Sequence, residues 1–179
     1  MRYLILMVFI LTGCAKSVSS LKTDQDKIFT NESGYLLIGI ETNRDLKGIR
    51  ISGSTDILLS SKDLRQGSNF ILVDLSAGTY VIEKVLLNNY WRVEMEDKDY
   101  WDIEILPGKI NYVGHIHIAT SGFWLVYSQI ELVNKSSYAI EFMEENFPKI
   151  LSSREIHYGG PGDDTFFDLI NKKKGPYNE

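Results

Sequence analysis

Between positions 34 and 132 the chain is a succession of short apolar or alternating segments, each closed by a turn signal. Segments 35–40, 49–51, 70–73, 79–85, 91–95, 102–105, 110–119 and 124–132 are rich in β-branched and aromatic residues, which suit a pleated, half-buried surface. Between them stand Leu75-Ser76-Ala77-Gly78, Pro107-Gly108 and Thr120-Ser121-Gly122, residue types that set the backbone for turns. No helical pattern alternates with these strands, so a doubly wound parallel sheet is excluded as an expectation. The pattern predicts a mainly β fold: an antiparallel β-sandwich of seven or eight strands.

Side chains alternate along a strand, which allows one register to be read. Ile110, Tyr112, Ile116 and Ile118 fall on one face and are expected in the core. Asn111, Val113, His115 and His117 take the other face, and Gly114 interrupts the stripe where a bulge or a close backbone approach would do so. After the strands, Ala139, Phe142, Met143, Phe147, Ile150 and Leu151 recur at helical spacing. This predicts a C-terminal helix packed on the sandwich, ended or kinked near Phe147 by Pro148. Asp164 is placed to cap a last short helix through Ile170, with Lys172, Lys173 and Lys174 at its C-terminal end and Gly175-Pro176 as a stop.

The N-terminus has a different character. Met1-Arg2-Tyr3 carries one positive charge, and eight apolar residues follow from Leu4 to Leu11. That run is well short of the roughly 20 residues of a membrane span, and it suits the core of a secretory signal. Leu11-Thr12-Gly13-Cys14 closes it. These four residues resemble the lipobox of bacterial lipoproteins. The resemblance implies cleavage between Gly13 and Cys14, a diacylglycerol on the Cys14 sulfur and a further fatty acyl (palmitate-type) chain on the new amino group. At about 0.8 kcal/mol per buried CH₂, two or three chains hold a protein at a membrane where one is marginal. Ala15 follows the cysteine instead of Asp, which by the rule of that family implies the outer membrane if the organism has two. The organisation expected is a signal peptide at 1–13, a lipidated cysteine with a flexible tether at 14–33, the β-sandwich at 34–135, and a helical segment and tail at 136–179.

Two turns share a pattern: Leu75-Ser76-Ala77-Gly78-Thr79-Tyr80, and Leu106-Pro107-Gly108-Lys109-Ile110-Asn111-Tyr112-Val113-Gly114. Each is a small-residue turn feeding a strand with a tyrosine. Together with Phe147-Pro148, the pattern resembles small bacterial lipoproteins with a prealbumin-like (transthyretin-like) β-sandwich of unknown function. It covers about positions 34–151. What it implies concerns fold and compartment; it carries no catalytic residues.

Few residues point to chemistry. His115-x-His117 projects two imidazoles from one strand face, a pair able to chelate a transition metal, with His157 and Asp163-Asp164 as more distant ligands. A metal-binding protein or metal-dependent envelope enzyme is therefore the alternative reading. No Gly-x-Ser-x-Gly elbow occurs, Gly159-Gly160-Pro161-Gly162 has no Gly-Lys-Ser/Thr after it, and Asp97-Lys98-Asp99 lacks the rest of a calcium loop. Tyr90, Trp91, Tyr100 and Trp101 lie near the two ends of one hairpin, with Phe123-Trp124 opening another strand. The first four form a possible ligand surface for a glycan or an envelope protein. The formal charge of −5 argues against nucleic acid, and a single cysteine excludes an internal disulfide. The reading is a lipid-anchored, extracytoplasmic, non-catalytic binding or structural module. Its only non-protein group is the covalent lipid.

Overall fold

The structure, a computed structural model, describes residues 15–29, 32–96, 99–122 and 127–174. The leader with Cys14, the Asp97-Lys98 pair, Phe123-Trp124 and the Gly175-Pro176 stop lie outside them. Two sheets make up the body. The first contains β1 (Lys16–Val18), β4 (Ile57–Ser60), β3 (Gly48–Gly53), β6 (Gly78–Leu86) and β7 (Arg92–Glu94) in that order, with β8 (Asp102–Ile105) also on β6. The second runs β10 (Tyr127–Val133), β9 (Ile110–Ser121), β2 (Ser33–Thr42) and β5 (Gly67–Ser76), with β11 (Ile156–Tyr158) also on β9.

The sheets share one core. Leu36, Ile38, Ile40, Ile71, Val73, Ile116 and Ile118 of the second sheet meet Ile49, Ile51, Ile57, Leu59, Ile82 and Ile103 of the first. A second core covers the opposite face of the second sheet, where Tyr35, Leu37, Leu72, Ile110 and Tyr112 pack on Ala139, Met143, Phe147, Ile150 and Phe167. Four of these last residues come from three helices, α1 (Ser136–Asn146), α2 (Pro148–Ser153) and α3 (Phe166–Lys174), and Phe147 from the junction of the first two. The second sheet is thus the middle of three layers. A strand buried on both faces reads as an unbroken apolar run instead of an alternation, which explains Tyr35-Leu36-Leu37-Ile38-Gly39-Ile40.

The mainly β architecture and the C-terminal helices agree with the sequence expectation, and three details correct it. The described residues contain eleven strands, not seven or eight. The additional ones are β1, β4 and β11, three or four residues each and too short to show an alternation. Two of them lie outside 34–135, so the sandwich does not stop at those limits. The sheets are also mixed: β1 on β4, β2 on β9 and β11 on β9 are parallel pairs.

The register of β9 breaks at Gly114, whose φ is +109°. The pairing with β2 shifts between Leu37 and Gly39, and this bulge reverses which side chains face which layer. Ile110 and Tyr112 therefore face the helices while Ile116 and Ile118 face the other sheet. All four are buried as expected, but on two faces. The same reversal separates Val113, which joins the inter-sheet core, from His115, which packs against Phe70 on the helix side. Pro148 acts as the sequence predicts. It ends α1 at Asn146 and stands in the first turn of α2, where its missing N–H costs nothing.

The segment 15–29 departs furthest from expectation. Its composition predicts a flexible tether, yet it runs across the body as a strap. Lys16 N–H donates to Asp56 O at 2.8 Å, and Leu21 N–H to Leu72 O at 2.8 Å. Asp63 accepts Ser20 N–H at 2.9 Å and the Lys22 ammonium at 2.6 Å. The strap then crosses to the helices. Asp24 accepts the Lys149 and Ile150 amides at 2.8 and 3.0 Å, capping α2. Asp26 meets Arg154 at 2.6 Å, and the Phe29 ring meets that of Tyr35 at a tilt, 4.5 Å between centroids. Polar composition misled here because these side chains bond the body instead of water.

Candidate functional site

The four aromatics of the expected ligand surface separate in the fold. β6 runs from the Ser76-Ala77-Gly78 turn to a second turn after Leu86, and that second turn carries Tyr90 and Trp91. Asn88 shapes it by accepting both the Tyr90 and the Trp91 amides at 2.8 Å. Tyr90 is 91% and Trp91 46% exposed. They border a shallow cleft of about 220 Å³ together with Lys47, Asn89 and Arg92. Tyr100 is half-exposed and donates its hydroxyl to Leu132 O at 2.8 Å. Trp101 is only 6% exposed and belongs to the inter-sheet core. It leaves the proposed surface because β8, which follows it directly, pairs with β6, and the indole is buried in the core between the sheets.

The turn pair retained from the sequence can stack on a flat apolar or sugar face, with Lys47 and Arg92 offering cationic donors beside it. A second, larger cleft of about 420 Å³ lies under the strap and was not legible in the sequence. Its lining includes Ser20, Lys22, Asn69, Phe70, Phe142 and Asn146. It exists only because the strap folds back over β5 and α1.

The histidine pair sits on the helix-facing side of β9. His115 lies opposite Gly39 of β2 and Val133 of β10, and His117 opposite Glu41 and Glu131. His115 is 2% exposed, and neither ring nitrogen has a hydrogen-bond partner. Phe70 meets the ring edge-on at 5.3 Å and itself stacks on Phe142 at 4.7 Å. Glu41 is paired to Lys135 at 2.7 Å. His157 is on β11, opposite Asn111, while Asp164 accepts Asn134, Ser136 and the Phe166 amide. Asp164 therefore does the capping work expected of it at the start of α3. Among the described residues no three His, Cys, Asp or Glu side chains are grouped as a metal site.

Burial, and then the Lys135 charge, push the His115 pKa down to about 4. The ring is neutral at neutral pH. The unfolded chain binds the proton near 6.5 and the folded chain only near 4, so stability is fully present above 6.5 and falls as the pH drops toward 4. Linkage sets the loss at about 3 kcal/mol or less. Thermal melts between pH 7 and 4 are expected to show it, and His115→Leu to flatten the slope. The carboxylates of Asp26 and Asp164 act in a separate window. Burial opposes them, but hydrogen bonds from Arg154 and Tyr35 to Asp26, and from Ser136 and Asn134 to Asp164, hold both below the ordinary carboxylate value of 3.8. Their contribution is present above 3.8 and disappears only as the pH falls through the lower folded values.

Two residues missed in the sequence organise the strap and the turns. Arg154 ties Asp26 and Lys27 of the strap to Gly108 of the Pro107-Gly108 turn. Asn111, fully buried, accepts Leu106 N–H at 3.0 Å and donates to Tyr35 O at 3.1 Å and Leu106 O at 3.0 Å. It ties the Pro107-Gly108 turn to β2. An amide in an apolar strand beside Pro-Gly was the available signal.

No family model, curated protein or solved structure matches this chain. Among the described residues no helix is long and apolar enough to cross a membrane.

Proposed function

We propose that this chain is a lipid-anchored lipoprotein of the cell envelope that works as a non-catalytic binding or structural module. The observation that carries the reading is the N-terminal sequence: one positive charge, eight apolar residues and Leu11-Thr12-Gly13-Cys14, with the chain's single cysteine at the cleavage position. Ala15 favours the outer membrane in a diderm organism. The exposed Tyr90–Trp91 turn, flanked by Lys47 and Arg92, supports a binding role toward an envelope glycan or protein.

The anchor is tested by growing cells on a labelled fatty acid and extracting the full chain. The wild-type protein is expected in the membrane fraction, with its N-terminus at Cys14 and acyl mass on that residue. Cys14→Ala should abolish both acylation and cleavage at this site. Recovery of unacylated wild-type protein that keeps Met1 overturns the reading.

A further inference from the structure

The docked strap changes what an anchor at Cys14 would do. Only Ala15 separates Cys14 from β1, so Cys14 lies within about 7 Å of Lys16 along the chain. Lys16 is fixed: it pairs with Ile57 and donates its amide to Asp56 O at 2.8 Å. β1 and β4 are parallel, so the chain enters the body at the end where β4 begins.

Three turns meet at that end. The β3–β4 turn reaches the β5–β6 turn through Ser54 Oγ, 3.4 Å from Ala77 O. Gly78 pairs with Ile105, which leads into the β8–β9 turn, and Gly108 N–H donates to Ser33 O at 2.8 Å. The tips are small and uncharged, with Ser54, Thr55, Ser76, Pro107 and Gly108 exposed. Nearby charges are of both signs: Asp56 pairs with Arg50 at 3.0 Å and Lys109 with Glu155 at 3.0 Å, while among the described residues Lys16, Glu32 and Glu104 stand exposed and free to stay in the headgroup water. Such tips approach a headgroup layer without burying an unpaired charge. Tyr90, Trp91 and Tyr127, with the Arg65–Asp45 pair, occupy the opposite end. The twelve residues of β9 put the two ends roughly 35 Å apart at the rise of a β-strand.

We infer that the body is seated directly on the bilayer by the end bearing the β3–β4, β5–β6 and β8–β9 turns, and holds the Tyr90–Trp91 end away from it. This rests on the lipid-anchor reading. The partner of the near end is a lipid surface, and no swinging tether intervenes.

The test uses the full chain, matured in cells and reconstituted in phosphatidylethanolamine–phosphatidylglycerol vesicles containing lipids with a nitroxide on the headgroup. With the Cys14 sulfur acylated, a thiol fluorophore reacts only at an introduced cysteine, either Thr55→Cys at the near end or Asn89→Cys at the far end. Both positions are exposed turn residues. Quenching at position 55 is expected to be several-fold stronger than at position 89. Inserting about twelve Gly/Ser residues between Ala15 and Lys16, with a mean reach of about 20 Å, should abolish most of that difference. Equal quenching at 55 and 89 on acylated protein overturns the orientation and leaves the anchor standing. A protein whose intact mass shows no acyl group overturns both.

Discussion

Gly39→Ala is expected to cost about 3 kcal/mol, a large part of the stability of a domain this size. In an ordinary strand this exchange would help, because alanine loses less backbone entropy than glycine. Here the sign reverses. A Cβ at position 39 would overlap the His115 ring, which lies directly across on β9. The ring cannot retreat, since Phe70 meets it at 5.3 Å and Phe142 stacks behind Phe70 at 4.7 Å. His115→Ala in the same chain should recover much of the loss, leaving a coupling energy of about 1–3 kcal/mol between the two positions. Urea midpoints of the four proteins of the cycle measure it. Additive losses would show that the glycine serves some other purpose than room for the ring.

Arg154→Ala is expected to cost about 2–4 kcal/mol and to release the strap. The guanidinium donates to Asp26 Oδ1 at 2.6 Å, to Gly108 O at 2.9 Å and to Lys27 O at 2.6 Å, and it lies 4.3 Å over the Phe29 ring. Its side chain is 12% exposed because it lies against the strap, although the bonds themselves sit at the surface. Removing it leaves Asp26 with Tyr35 and Ser153 alone. Hydrogen exchange of the Leu21 and Lys27 amides is the direct readout, since both are bonded to the body only while the strap is docked. Arg154→Lys should restore the charge but not the three-way fork, and so recover only part of the protection. Unchanged exchange in Arg154→Ala would mean that β1 and Asp24 hold the strap without it.

Much of the body was legible because its signals are local. The turn at Ser76-Ala77-Gly78, the turn at Pro107-Gly108 and the break at Pro148 each act on their own backbone, and each stands where the sequence puts it. The layer faced by each β9 side chain was not legible, because Gly114 marks a bulge without saying on which side parity changes. The unbroken run of β2 is what two-sided burial looks like, but it does not say that helices from the other end of the chain form the outer layer. The strap was misread for a different reason. Asp24, Asp26 and Lys27 are ordinary linker residues until partners more than a hundred positions away are known. Of the candidate surface, Tyr90 and Trp91 stand exposed as expected, whereas Trp101 turns into the core; the strand after it, Asp102–Ile105, falls where its alternation puts it, but that alternation does not say which way the residue preceding it points.

The sequence separation of the strap's contacts also orders events during synthesis. Asp24 and Asp26 leave the ribosome long before Lys149, Ile150 and Arg154, their partners 125 to 128 positions later. Closing so long a loop is entropically expensive unless the intervening layers have already assembled. The clasp therefore fastens last. The earlier part of the strap does not wait for it: Lys16, Ser20 and Leu21 bond Asp56, Asp63 and Leu72, so residues 16 to 21 can dock on the first half of the body before the clasp residues exist.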